Sequence, residues 1–274
     1  LILDLLKERA ETGRMYLMNI DHCNSHSSFT DKVEMSNLCQ EITLPTKPIQ
    51  HIDDDNGEIA LCILSAINIG KIRDVSDFEV LCDLSVRSLD ELIDFQQYPV
   101  RAAERATKAR RSLGIGYIGL AHYLAKQGVS YGDPEAWKLV HDLTEAFQYY
   151  LIKSTVNLAK EKGACQDSPR TKYSHGVLPI DTYKTDVDEL VPNKLNFDWE
   201  SLRQDVKKYG VRNSTLSAQM PSESSSVVSN ATNGIEPPRG YLSIKKSKKG
   251  PLKQIVPSYN TLKNNYTLLW DMPD

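Results

Sequence analysis

The chain has 274 residues, 40% hydrophobic and 25% charged, which are the proportions of an ordinary globular protein of one large domain or two small ones. With 33 basic against 36 acidic residues the net charge is -3, a balance that suggests no nucleic-acid partner and no acidic membrane surface. No apolar run reaches the roughly 18 residues of a membrane helix, no secretory signal opens the chain, and five scattered cysteines (23, 39, 62, 82 and 165) fit a reducing compartment, so a soluble cytoplasmic protein is expected.

Residues 1 to 12 carry an amphipathic helical pattern stopped by Gly13, and 15 to 20 (MYLMNI) read as a short strand. The first helix enters without a cap and WDMPD follows directly on a helix, so both ends are expected to be cut from something longer. Residues 21 to 32 read as a polar loop. Asp21-His22-Cys23-Asn24-Ser25-His26 offers metal ligands within it, but no second Cys/His pair stands at zinc-finger spacing, and no metal is assigned.

The stretch 36 to 46, SNLCQEITLPT, reads as an extended loop or strand closed by Pro45 and Pro48. If it is extended, residues 37, 39 and 41 point the same way, about 7 Å apart along the row. An amide, a thiol and a carboxylate would then line one face. A cysteine in a short strand is ordinarily a small buried hydrophobe, but Asn37 and Glu41 are poor company for an inert thiol, because burying them requires partners. The row suits a site better than a core.

Residues 58 to 69 (EIALCILSAINI) read as a buried strand region, followed by helices near 76 to 95, 100 to 126 and 134 to 162, the last led in by Asp133 and Pro134. RSLGIGYIG at 111 to 119 contains GxG without the GxGxxG order of dinucleotide binding, and is read as close helix packing. Residues 163 to 197 are irregular. A helix is expected near 198 to 209, a strand near 214 to 219, and a Ser-rich turn and helix start at 221 to 229. There MPSESSS offers hydroxyls and free N–H groups as a phosphate cradle, or simply a preferred N-cap. NATNGIEPPRG is a turn, with a strand near 241 to 246 and a helix near 258 to 270 after it. The lysines 245, 246, 248, 249 and 253 read as a solvated surface. Strands separated by helices predict α/β architecture with mostly parallel pairing and no internal repeat.

Taken together, SNLCQEITLPT, NGEIALCILSAINIG at 56 to 70, RNSTLSAQMPSESSS at 212 to 226 and SNATNGIEPPRGY at 229 to 241 resemble the large, catalytic subunit of class I ribonucleotide reductase. RRSLGIGYIG and LPIDTYK also look like that family, so the resemblance spans nearly the whole chain. It implies that residues 1 to 274 are the C-terminal portion of the catalytic barrel domain, incomplete at both ends, and part of a ten-stranded α/β barrel with a central finger loop. It implies roles as well. Cys39, at the finger tip, becomes a thiyl radical that removes the 3′ hydrogen of the substrate ribose. Glu41 serves as general base, Asn37 holds the ribose, and Leu38 and Gln40 complete that substrate-binding stretch. Cys62 is one of two cysteines that reduce the substrate, its partner lying upstream of residue 1. Pro221, Ser222, Glu223, Ser224 and Ser225 bind the diphosphate, although the family often has Thr where Ser224 stands. Cys23, Cys82 and Cys165 match no functional position and are left as structural.

The same resemblance implies a ribonucleoside diphosphate substrate and no cofactor bound by this chain, the radical coming from a small subunit with a di-metal/tyrosyl centre. The radical-relay tyrosines and the re-reducing C-terminal cysteines lie outside the chain, as do the sites for ATP and dNTP effectors. A large-subunit homodimer and a thioredoxin- or glutaredoxin-type reductant are further implied partners. Two other readings compete: a non-catalytic scaffold fragment of the large subunit, and the adenosylcobalamin-dependent reductase, which shares the Asn-x-Cys-x-Glu pattern but looks less like residues 212 to 241. The chain by itself is expected to be inactive.

Overall fold

The computed structural model describes residues 1–191, 194–247 and 250–272. Helix α1 (Ile2–Thr12) ends where Gly13 adopts φ 64° and donates its N–H to Arg9 O, and none of its residues is buried. The strand expected at 15 to 20 does not form. Residues 14 to 19 run without a ladder partner, and a strand is held only by a neighbour's backbone groups. Of the polar stretch 21 to 32, residues 27 to 32 are irregular as expected, but residues 21 to 26 are not loop and belong to α2 (Ile20–His26). Asn24 explains why: its Nδ2 donates to Ile20 O and Val33 O at 2.9 and 2.8 Å, and its Oδ1 accepts the Val33 N–H at 2.8 Å.

Strand β1 (Ile63–Asn68) fills only the later part of the region expected as a strand. Glu58 instead makes an isolated antiparallel bridge with Lys47. Helix α3 (Asp77–Phe95) follows as expected, but the single helix expected at 100 to 126 is three elements, α4 (Arg101–Arg110), β2 (Leu113–Ile118) and α5 (Leu120–Gln127). The helix stops because Arg111 turns left-handed at φ 49°. Beyond it, Gly114 and Gly116 would each cost a helix interior about 1 kcal/mol relative to Ala, whereas the strand requires them. A Cβ on Gly114 would lie 2.9 Å from Cys62 Sγ, and one on Gly116 would lie 2.5 Å from Ala218 O. RSLGIGYIG is therefore a buried strand, not a helix-packing segment.

β2 runs parallel to β1, with Ile63 opposite Leu113 and Asn68 opposite Ile118. Its other edge takes the segment expected as a strand at 214 to 219. Leu113 N–H donates to Thr215 O at 3.0 Å, Ile115 N–H to Leu216 O at 2.7 Å, and Ala218 N–H to Ile115 O at 3.1 Å, with one parallel bridge between Ile115 and Ser217. Parallel neighbours need crossovers. α3 and α4 supply the first, and α5, α6 (Pro134–Lys162) and α7 (Trp199–Tyr209) the second. α3 packs on α6 in the main core, where the Phe78 and Tyr117 rings meet Phe147 edge-on at 5.5 and 5.4 Å.

α7 is capped by Asp198, whose carboxylate accepts the Ser201 N–H at 2.9 Å. α8 (Glu223–Val228) starts in the Ser-rich run as expected. β3 (Leu242–Ser247) pairs antiparallel with β4 (Gly250–Ile255), a strand absent from the sequence reading, while Lys248 and Lys249 of the lysine run lie outside the described residues. The helix expected at 258 to 270 shrinks to α9 (Tyr259–Leu262) and short 3-10 turns. Side chains pull that stretch off a helical path: Tyr266 Oη donates to Pro257 O at 2.7 Å and Asn265 Nδ2 to Ala125 O at 2.9 Å. The result is mixed α/β with a parallel core whose sheet, among the described residues, does not close.

Candidate active site

Two loops approach the parallel sheet. The first carries Asn37, Leu38, Cys39, Gln40 and Glu41. It is not extended. Asn37 N–H donates to Ile42 O at 3.1 Å, Gln40 N–H donates to Asn37 O at 3.2 Å, and Gln40 sits at φ 64°. The side-chain row inferred from alternation is thus replaced by a tight turn. Asn37 is the cause: its Oδ1 accepts the Ile42 N–H at 3.1 Å, the local side-chain bond by which Asn competes with extended structure. Cys39 is exposed at the turn and Leu38 is 74% exposed beside it.

Past the turn, Glu41 comes close to Cys62. The Glu41 Oε2 atom is buried and has no hydrogen-bond partner. Burial, and secondarily the Glu41 charge, push the Cys62 thiol from an ordinary value near 9.0 up to about 12, so Cys62 is a neutral thiol at physiological pH. Its sulfur lies over the Gly114 backbone, where only glycine leaves room. Cys82 and Cys165 are buried and their thiols are likewise raised, mainly by burial.

The second loop carries Pro221, Ser222, Glu223, Ser224 and Ser225. Ser222 occupies the N-cap position of α8 and is 4% exposed, but its Oγ makes no capping bond and is buried without a partner. Pro221, Glu223, Ser224 and Ser225 face solvent. The turn beyond α8 is tied to the ends of both strands: Asn68 Nδ2 donates to Ser229 O at 3.2 Å and Gly119 N–H to Thr232 O at 3.0 Å. Asn68 Oδ1, Thr232 Oγ1 and Asn233 Oδ1 are also buried without partners. In open α/β sheets ligands bind outside the carboxyl ends of the parallel strands, and Asn68 stands at that end of β1. Lys245, read as part of a solvated face, instead reaches Glu223 at 3.2 Å.

The segment 21 to 26 considered for a metal is helical, and its residues make no ligand group among the described residues. His141, Asp142 and Glu145 do converge. Their carboxylates are already engaged, however. Glu145 accepts from the N–H groups of Asn196, Phe197 and Trp199 Nε1, and Asp142 pairs with Lys138. That cluster is a clasp for residues 196 to 199.

The chain matches the family described as "Ribonucleotide reductase, barrel domain" over residues 1–270. It is 61% identical to the protein named ribonucleoside-diphosphate reductase subunit alpha of Haemophilus influenzae, over 98% of this chain and 36% of that one. The protein named ribonucleoside-diphosphate reductase 1 subunit alpha of Escherichia coli is 56% identical over the same shares, and the one named ribonucleoside-diphosphate reductase subunit alpha of Enterobacteria phage T4 is 44% identical over 98% of this chain and 35% of its own. The chain thus spans little more than a third of the length of these curated relatives. With the match running through both loops and the sheet between them, the chain belongs to the ribonucleotide reductase family, as part of its barrel domain.

Proposed function

We propose that this chain forms part of the catalytic barrel of a ribonucleoside-diphosphate reductase, in which residues 1 to 274 are the C-terminal portion of that domain. In this reading Cys39 carries a thiyl radical that takes the 3′ hydrogen from the ribose, Glu41 accepts the 3′-hydroxyl proton, and Asn37 orients the sugar with the Leu38 to Gln40 backbone. The C2′–O bond breaks and the oxygen leaves as water. Cys62 and a partner thiol from the rest of the protein supply the two electrons and two hydrogens and become a disulfide. Residues 221 to 225 hold the diphosphate with hydroxyls and N–H groups.

The observation that carries this reading is the buried, unpartnered Glu41 carboxylate oxygen beside a neutral Cys62 thiol. A buried acceptor left empty is costly, and a substrate hydroxyl would fill it. A protonated thiol retains the hydrogen that reduction consumes. The radical would come from a separate small subunit with its di-metal/tyrosyl centre, and a thioredoxin- or glutaredoxin-type protein would restore the thiols. The assembly would act in the cytoplasm as a large-subunit homodimer, with ATP and dNTP effectors bound elsewhere on the protein. No helix among the described residues is long and apolar enough to cross a membrane.

The two thiols separate the roles. In the full-length protein assembled with its small subunit and given 3′-deuterated substrate, Cys39→Ser is expected to abolish hydrogen abstraction with substrate affinity preserved. Cys62→Ser is expected to permit abstraction but to lose the radical and release free base from the sugar. Identical silence from both variants would make Cys62 a core thiol only.

A further inference from the structure

The Cys39 loop is a long excursion with little holding its tip. Glu34, Met35, Asn37, Leu38 and Cys39 are all exposed, and its apolar pins are Val33, Leu44 and Pro45. Both roots of the excursion end on one guanidinium. Arg110, the last residue of α4, is 3% exposed. Its Nη1 meets Asp31 Oδ2 at 3.1 Å on the incoming root, and its Nη2 meets Glu58 Oε2 at 2.8 Å on the outgoing root. Asp31 is held a second time by Arg170 at 2.8 Å, and Glu58 by Lys47 at 2.7 Å, where Lys47 and Glu58 also exchange backbone hydrogen bonds of 3.0 and 3.1 Å. Burial opposes the Glu58 charge, but the hydrogen bonds from Arg110 and Lys47 outweigh it and hold that carboxyl below its ordinary value. The Arg110 guanidinium carbon lies over the Phe29 ring, 5.6 Å from its centre.

The next residue does the same for the other loop. Arg111, left-handed and so turned away from Arg110, donates to Asp90 at 2.6 Å and to Asp94 at 2.8 Å. Asp90 in turn accepts from Arg212 at 3.2 Å and Asn213 at 3.0 Å, at the start of the segment that leads along β2 to residues 221 to 225. Two consecutive residues at one helix end therefore fix the two loops relative to each other.

We infer that Arg110 is a positioning residue that sets the Cys39 and Glu41 loop against the 221 to 225 loop. The inference rests on the proposed reductase reading, in which one substrate spans both loops. A substrate held by its diphosphate at one loop must meet Cys39 at the other, and a displacement of about 1 Å can cost on the order of 10²-fold in rate. Lysine keeps the charge of Arg110 but lacks the planar fork that bridges two carboxylates.

The test uses the full-length protein with its small subunit and the variant Arg110→Lys. Amide exchange over residues 33 to 44 is expected to rise by at least roughly tenfold, with exchange in α3 and α6 unchanged. kcat is expected to fall about 10²-fold, with KM shifted no more than about threefold because the diphosphate contacts persist. Arg111→Lys is expected to loosen residues 212 to 218 instead. Should Arg110→Lys not fold, Asp31→Asn and Glu58→Gln each remove one root and are read in the same way. Unchanged exchange at 33 to 44, or an equal rise in α3 and α6, overturns the inference. If the wild type reduces no nucleotide, the reductase reading fails while the exchange measurement still decides the role of Arg110.

Discussion

Glu41 places a carboxylate oxygen in the interior without a donor, an arrangement that ordinarily costs about 1–3 kcal/mol until something supplies the hydrogen. Glu41→Gln keeps the shape and removes the basicity. In single-turnover measurements on the assembled protein it is expected to slow hydrogen abstraction by roughly 10²–10⁴-fold, without lowering Tm, since a neutral amide is cheaper to bury. A rate left intact would remove Glu41 from the chemistry. Cys62 makes a pH prediction. A thiol raised from near 9.0 to about 12 favours the folded state fully below pH 9, and that contribution is lost as pH climbs from 9 toward 12. At pH 8 only about one Cys62 in 10⁴ is thiolate, the form that alkylates. Iodoacetamide is therefore expected to label exposed Cys39 well before Cys62, and Cys62 labelling is expected to quicken about tenfold per pH unit. Comparable early labelling of both, read by peptide mass spectrometry, contradicts the burial of Cys62.

Strand β2 is the element on which both loops depend, and its glycines are tests of it. Gly116→Ala would press a Cβ to 2.5 Å from the Ala218 carbonyl, and is expected to cost about 1–3 kcal/mol in denaturant unfolding and to weaken diphosphate binding through the displaced 217 to 222 segment. Gly132→Ala, with nothing within 4 Å, is expected to be near neutral. The sequence revealed α3, α6 and α7 because each has a continuous amphipathic pattern with clear stop residues. It hid β2, because Leu113, Ile115, Tyr117 and Ile118 continue an apolar run that a buried helix would also show. The loop motifs were legible as sequence, but their shape was not. Asn37 folding back on Ile42 turned an expected extended row into a turn, and the nearness of Glu41 to Cys62 joins residues that periodicity does not relate. Arg110 gave no signal at all, since only the tertiary fold brings Asp31 and Glu58 to it.

At the scale of the molecule, the parallel sheet is open among the described residues and apolar side chains remain uncovered, among them Leu61 and Leu64 at β1 and Leu1, Ile2 and Leu3 at the start of α1. The isolated chain is expected to bind a hydrophobic dye and to show no nucleotide reduction. On the proposed reductase reading, activity is expected only when a chain carrying the rest of the catalytic barrel and a radical-generating small subunit are added, and turnover by this chain alone would contradict that. The arrangement around β2 also dictates an order of assembly during synthesis. Its partner on one side, β1, is already made when β2 emerges, but the partner on the other side follows 102 residues later, as the Tyr117 and Gln219 pair shows. A ribosome adding about 5–20 residues per second leaves that edge of β2 bare for roughly 5–20 s. For that interval a buried strand of the finished protein is an exposed template for wrong pairing, so the nascent chain should depend most on chaperones between the emergence of β2 and that of residue 219.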